Sequence, residues 1–118
     1  MTTEVDWMHQ ALHRMALLGD MEPDEAAIRQ VNTREQLLAK LEEMVVWLMN
    51  KDLEKLLWIL YRIDVDEQRI KQALAAEMPE KGPRLIAEMI LEREEQKEQY
   101  RKQFSQSTKG ETDTDLLL

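Results

Sequence analysis

Residues 52–74, DLEKLLWILYRIDVDEQRIKQAL, constrain the fold more than any other stretch, because an almost wholly apolar helix ends there at a capping signal and an amphipathic one begins. Leu53, Leu56, Leu57, Leu60 and Ile63 recur at the i, i+3, i+4, i+7 spacing that lines one face of an α-helix, with Trp58 and Ile59 on the other side. Each such side chain left in water forgoes roughly 1.5–3 kcal/mol, so this helix needs cover on at least two sides, from a bundle or from another chain. A bilayer span takes about 20 apolar residues, and here Glu54, Lys55 and Arg62 interrupt a shorter run. Asp64 with Glu67 reads as a capping box for the next helix; Asp66 is the competing cap, with Val65 and Ile70 as its hydrophobic staple.

Similar punctuation divides the rest. Asp6 can cap a helix that runs to Leu18 and stops at Gly19, and Pro23 ahead of Asp24 and Glu25 opens a short segment fading near Asn32. Thr33 with Gln36 is a further capping box, leading into a helix whose inner stripe is Leu37, Leu41, Met44, Val45 and Leu48, widened by Leu38, Val46 and Trp47. The tight link at Asn50 and Lys51 predicts an αα-hairpin with the apolar helix. Ile70, Ala73, Leu74 and Met78 face inward until Met78-Pro79 ends the third core helix, and Gly82-Pro83 starts the last. That last helix docks through Leu85, Ile86, Met89, Ile90 and Leu91, whereas residues 92–104 are nearly all polar and read as a projecting end. From Ser105 onward, SQSTKGETDTDLLL has no periodicity and reads as disordered, its three closing leucines as an unread tail.

The expected architecture is an all-α bundle. Four core helices occupy residues 33–104, one or two N-terminal helices in an acidic extension (residues 1–32) pack on them or attach loosely, and an acidic tail covers residues 105–118. With three Gly, three Pro and a predominance of good helix formers, a β fold is disfavoured. The net charge of −8 is unevenly spread. Six acids and two bases lie in residues 1–32, and fifteen acids against thirteen bases alternate through residues 33–104. A nucleic-acid binder needs clustered Lys and Arg to displace counterions from phosphates, so that class is set aside. The absence of cysteine removes disulfides, thiolate catalysis and Cys-based metal sites. With no apolar run long enough for a signal or a span, the expectation is a cytoplasmic protein without membrane insertion.

Candidate chemistry is sparse. His9 and His13, in HQALH, have the i, i+4 spacing that can set two imidazoles on one metal, with Asp6 a turn earlier as a third donor. The pattern departs from the zinc-hydrolase H-E-x-x-H at Gln10, whose amide cannot take a proton from metal-bound water. Both histidines also flank the apolar face of Met8, Leu12 and Met15, where boundary histidines are ordinary. Calcium loops counted from Asp20 or Asp64 place Glu25 or Arg69 where the turn glycine belongs, and Val31 or Ala75 where the bidentate Glu belongs. Gly19, Gly82 and Gly110 form no phosphate loop, Ser105 and Ser107 have no triad context, and no Glu-x-x-His marks a di-iron bundle. The expectation is therefore no enzyme, no cofactor and no metal.

A contact surface is the better prospect. Trp58 and Ile59 lie on the second side of the apolar helix, and the last helix carries Arg93, Lys97, Tyr100 and Phe104 along one stripe. The run LLWILYRIDVDEQRIKQAL with the following IAEMILEREEQKEQYR helix resembles a group of small uncharacterised bacterial all-helical proteins with an LYRIDV-type helix junction and a charged final helix, over roughly residues 38–101. The resemblance implies a compact helical unit of bacterial origin and no particular activity. The expected function is a non-enzymatic protein–protein interaction or adaptor protein that binds a protein partner or itself, as a homo-oligomer. The alternatives are a metal-binding module or metal-dependent enzyme using the histidine pair, and a structural subunit of a larger assembly.

Overall fold

Short polar caps set where the helices begin. The computed structural model describes residues 4–75 and 80–107, and the described backbone is all α-helical: α1 (Glu4–Leu18), α2 (Glu25–Arg29), α3 (Arg34–Lys51), α4 (Leu53–Arg62), α5 (Glu67–Leu74) and α6 (Lys81–Ser107). Thr33 caps α3 through a complete capping box with Gln36. Asp52 serves two helices, its backbone N–H donating to the Leu48 carbonyl of α3 while its carboxylate accepts from Lys55 N at the start of α4. A single residue thus joins α3 to α4. Of the two candidate caps for α5, Asp66 is used, its carboxylate accepting from Gln68 N. Val65 and Ile70 stand on either side of it as a staple, partly and fully buried.

Asp64 has another job. It sits at φ 69°, just past the end of α4. Asp64 N donates to Tyr61 O and Val65 N to Leu60 O, the paired bonds of a Schellman motif. α1 ends in the same way, with Asp20 at φ 57° and bonds from Asp20 N to Leu17 O and from Met21 N to Ala16 O. The left-handed position after α1 therefore belongs to Asp20, although Gly19 was the expected stop. Gly19 instead permits close packing: a Cβ there would lie 2.8 Å from Met21 Cε and 3.7 Å from Ile59 Cδ1.

One contiguous core draws on every helix. Leu37, Leu41, Leu56, Leu60, Ile86 and Leu91 are fully buried, and Trp7, Met8, Leu12, Met15, Ile28 and Val31 from the N-terminal region join the same cluster. Residues 1–32 thus include packed elements of the core, the first of the two arrangements expected. α6, about 40 Å long at 1.5 Å per residue, runs against both α3 and α5. Its first turn contains Gly82 and Pro83, so it starts slightly ahead of the expected proline start, at a position where proline's missing N–H costs nothing. It also continues through Ser107, past Phe104. The predicted stop at Met78-Pro79 and the tail beyond Ser107, with Leu116, Leu117 and Leu118, lie outside the described residues. Several expected inner positions face out, namely Val46 and Trp47 on α3, Leu74 on α5 and Leu85 on α6.

Candidate interaction surface

α4 has two columns of side chains pointing away from the core. Its buried face is Leu56, Ile59 and Leu60, followed by Ile63. That choice leaves Leu53, Leu57 and Tyr61 exposed as one i, i+4, i+8 column, and Glu54, Trp58 and Arg62 as the next. Tyr61 is 81% exposed, Trp58 47%, Leu53 42% and Leu57 36%. Isolated exposed apolar residues are ordinary on any surface, but four within nine residues of one helix make a contiguous patch rimmed by charge. The buried set differs in phase from the one periodicity favoured. Ile59, offered as a surface residue, is only 2% exposed, with the chain just past α1 reaching it at Gly19.

Two cations hold the Trp58 ring. Lys55 Nζ is 5.2 Å and Arg62 Cζ 5.8 Å from its centroid, within the range of cation–π attraction. Lys55 also pairs with Asp20 at 2.9 Å, tying α4 to the end of α1. Glu54 and Arg62 have no ion-pair partner among the described residues. The indole thus has two cations beside it and about half of its surface in solvent. The exposed face is a single convex helix surface, which suits a helix or a flat apolar face better than a small molecule.

Of the other residues marked in the sequence, Arg93 and Lys97 are tied into the fold. Arg93 donates from Nε to Ile63 O at 2.8 Å and from Nη1 to Gln96 Oε1 at 3.1 Å, and lies 3.6 Å from Asp64, so it clamps the α4–α5 junction onto α6. Lys97 lies 3.7 Å from Glu94. Burial pushes the Lys97 ammonium below its ordinary value of 10.5, with the Glu94 carboxylate opposing that shift. Tyr100, largely exposed, stacks on Phe104 with centroids 5.6 Å apart and planes at 15°. That pair is local to α6.

The histidines act as ties between helices. His9 Nε2 donates to Val31 O at 2.8 Å, across the chain to the link before α3. His13 meets two acceptors, the His9 carbonyl at Nδ1 (2.9 Å) and the Glu25 carboxylate at Nε2 (3.0 Å). A neutral imidazole has one N–H, so only the imidazolium satisfies both. In line with that, the Glu25 hydrogen bond, followed by the His9 carbonyl, raises the His13 pKa above its ordinary 6.5. The two imidazoles are thus drawn to different partners, and Asp6 lies a turn away within α1. Among the described residues no group of three or more His, Asp or Glu converges as a metal site.

Glu94 is the residue that sequence reading missed. Its position in the polar stretch of residues 92–104 put it on the expected projecting end of the helix. It is 0% exposed. One carboxylate oxygen accepts from Arg14 Nη2 of α1, and the other has no hydrogen-bond partner. A carboxylate this deep with a guanidinium reaching in from solvent is a structural pin between α1 and α6.

No protein-family model, no curated protein and no solved structure matches the chain. The reading of its function therefore rests on its own residues. No described helix is long and apolar enough to cross a membrane.

Proposed function

We propose that the chain is a non-enzymatic protein–protein interaction protein that binds through the outer face of α4. The observation that carries this reading is the patch of Leu53, Leu57, Trp58 and Tyr61, left open on a helix whose other face is fully in the core. A folded chain that spends Trp, Tyr and Leu on solvent at one place gains by covering them, since each buried large apolar side chain is worth roughly 1.5–3 kcal/mol. Aromatic residues with an adjacent Arg are also the residue types enriched where partners bind tightly. An adaptor or self-associating protein of the cytoplasm, of the bacterial helical type the sequence resembles, is the fullest form of this reading.

The test is mass in solution. Light scattering on the wild-type chain should give more than one copy per particle, or more than the chain's 14.0 kDa once a partner is added, and Trp58→Asp should return the monomer with its helical circular dichroism intact. Trp58 is half in solvent, so its replacement leaves the core untouched. Association unaffected by Trp58→Asp would place the binding surface elsewhere.

A further inference from the structure

We infer that the occupant of the α4 face is a second copy of this chain, packed antiparallel across a two-fold axis near Trp58. This inference rests on α4 being the binding surface, as proposed above. The column Glu54, Trp58, Arg62 runs from a negative end through an aromatic centre to a positive end. Its ends are eight residues, about 12 Å, apart along the helix, too far to pair with each other, and neither has an ion-pair partner among the described residues. In an antiparallel two-fold pair, the same flank of each helix meets the same flank of the other with its direction reversed. Glu54 then faces Arg62 of the second copy, Arg62 faces Glu54 of the second copy, and the two Trp58 rings meet at the axis. The neighbouring column reverses onto itself in the same manner, with Leu57 at its centre and Leu53 opposite Tyr61 of the second copy. A parallel two-fold copy would instead set each column against the other, leaving both charges opposite Leu53, Leu57 and Tyr61 with no partner of opposite sign.

Arg62 can serve both contacts. Its guanidinium lies over the Trp58 ring, a placement that leaves the planar edge donors free for a carboxylate. The face is one helix of ten residues, so the dimer belongs to the small, weak class of interfaces and dissociates on dilution.

Charge reversal tests the arrangement. In Glu54→Arg, two attractive pairs become two repulsive ones, and the same holds for Arg62→Glu; each variant alone should dimerise roughly tenfold more weakly than wild type. Mixed one to one, the two variants carry complementary ends and should form a heterodimer at wild-type strength, and the double variant Glu54→Arg/Arg62→Glu should recover the homodimer. Sedimentation equilibrium reads all four. Homodimers lost in Trp58→Asp but indifferent to both charge reversals would keep α4 as the surface and overturn the antiparallel pairing. A wild-type monomer at every concentration that binds a different protein through Trp58 would keep the surface and overturn the second copy as its occupant. A wild-type monomer with no partner dependent on Trp58 would overturn both readings.

Discussion

Two charged side chains decide how α1 is fixed, in opposite ways. Glu94 is held in the core by Arg14, whose own side chain remains 40% exposed. Removing the guanidinium leaves a buried carboxylate with no hydrogen bond to either oxygen and only the Lys97 ammonium, 3.7 Å away, to oppose its charge. Arg14→Met should cost about 1–3 kcal/mol, and in that background Glu94→Gln should restore part of the loss, because a neutral amide is cheaper to bury than a carboxylate that has lost its hydrogen bond. Urea unfolding measures both, and a further loss in the double variant would contradict this assignment. His13 acts at the surface and through pH. With its folded pKa raised above 6.5 by Glu25 and the His9 carbonyl, its contribution is fully present below pH 6.5 and disappears as pH climbs through the raised value. The stability difference between wild type and His13→Gln should therefore be seen in mild acid and vanish in mild alkali. A difference that grows with pH would refute the imidazolium tie. Neither feature stands out in the sequence: Arg14 and Glu94 are 80 residues apart, and Glu25 faces His13 only once α2 folds back on α1.

Helix boundaries were the most legible level, since caps are made by residues close in the chain. Thr33 with Gln36 and Asp66 with its Val65–Ile70 staple follow from local hydrogen bonding that needs no tertiary context, whereas Asn50 and Lys51, expected as the link, close α3 and leave that role to Asp52, and Asp6, expected as a cap, lies inside α1. Asp64 was placed at the junction, yet its left-handed backbone depends on how α4 ends against α5. Left-handed backbone costs a non-glycine residue on the order of 1 kcal/mol. Asp64→Gly should raise the unfolding free energy by roughly 0.5–1 kcal/mol, the exposed Asp64 carboxylate contributing little through its 3.6 Å approach to Arg93. A lower melting temperature would show that the carboxylate matters more than the backbone. The phase of α4 was not legible. A helix apolar nearly all round offers several faces for burial, and the choice of Ile59 over Trp58 depends on residues distant in the chain, among them Gly19 just past α1, which admits Ile59 at close range.

At the scale of the whole molecule, a chain this acidic does not spread its repulsion evenly. Acids of the N-terminal region are drawn against bases of other elements, as in Asp20 with Lys55 and Glu25 with His13, while Arg34 and Arg84 bind α3 to α6 through Glu95 and Glu42. Glu54 and Arg62 stand apart from that network, on the same face as the exposed aromatics. An all-α fold was readable from composition and period alone, and the N-terminal helices complete its core by burying Ile59 and enclosing Glu94. What they leave uncovered is the outer face of α4. Two-dimensional NMR of the uniformly labelled chain over a dilution series tests that face directly: concentration-dependent shifts should centre on Leu53, Leu57, Tyr61 and the Trp58 indole N–H, fading toward fixed positions on dilution. Shifts that centre on Tyr100 and Phe104 or on Val46 and Trp47, or a spectrum unchanged across the series, would contradict a second copy seated on that face.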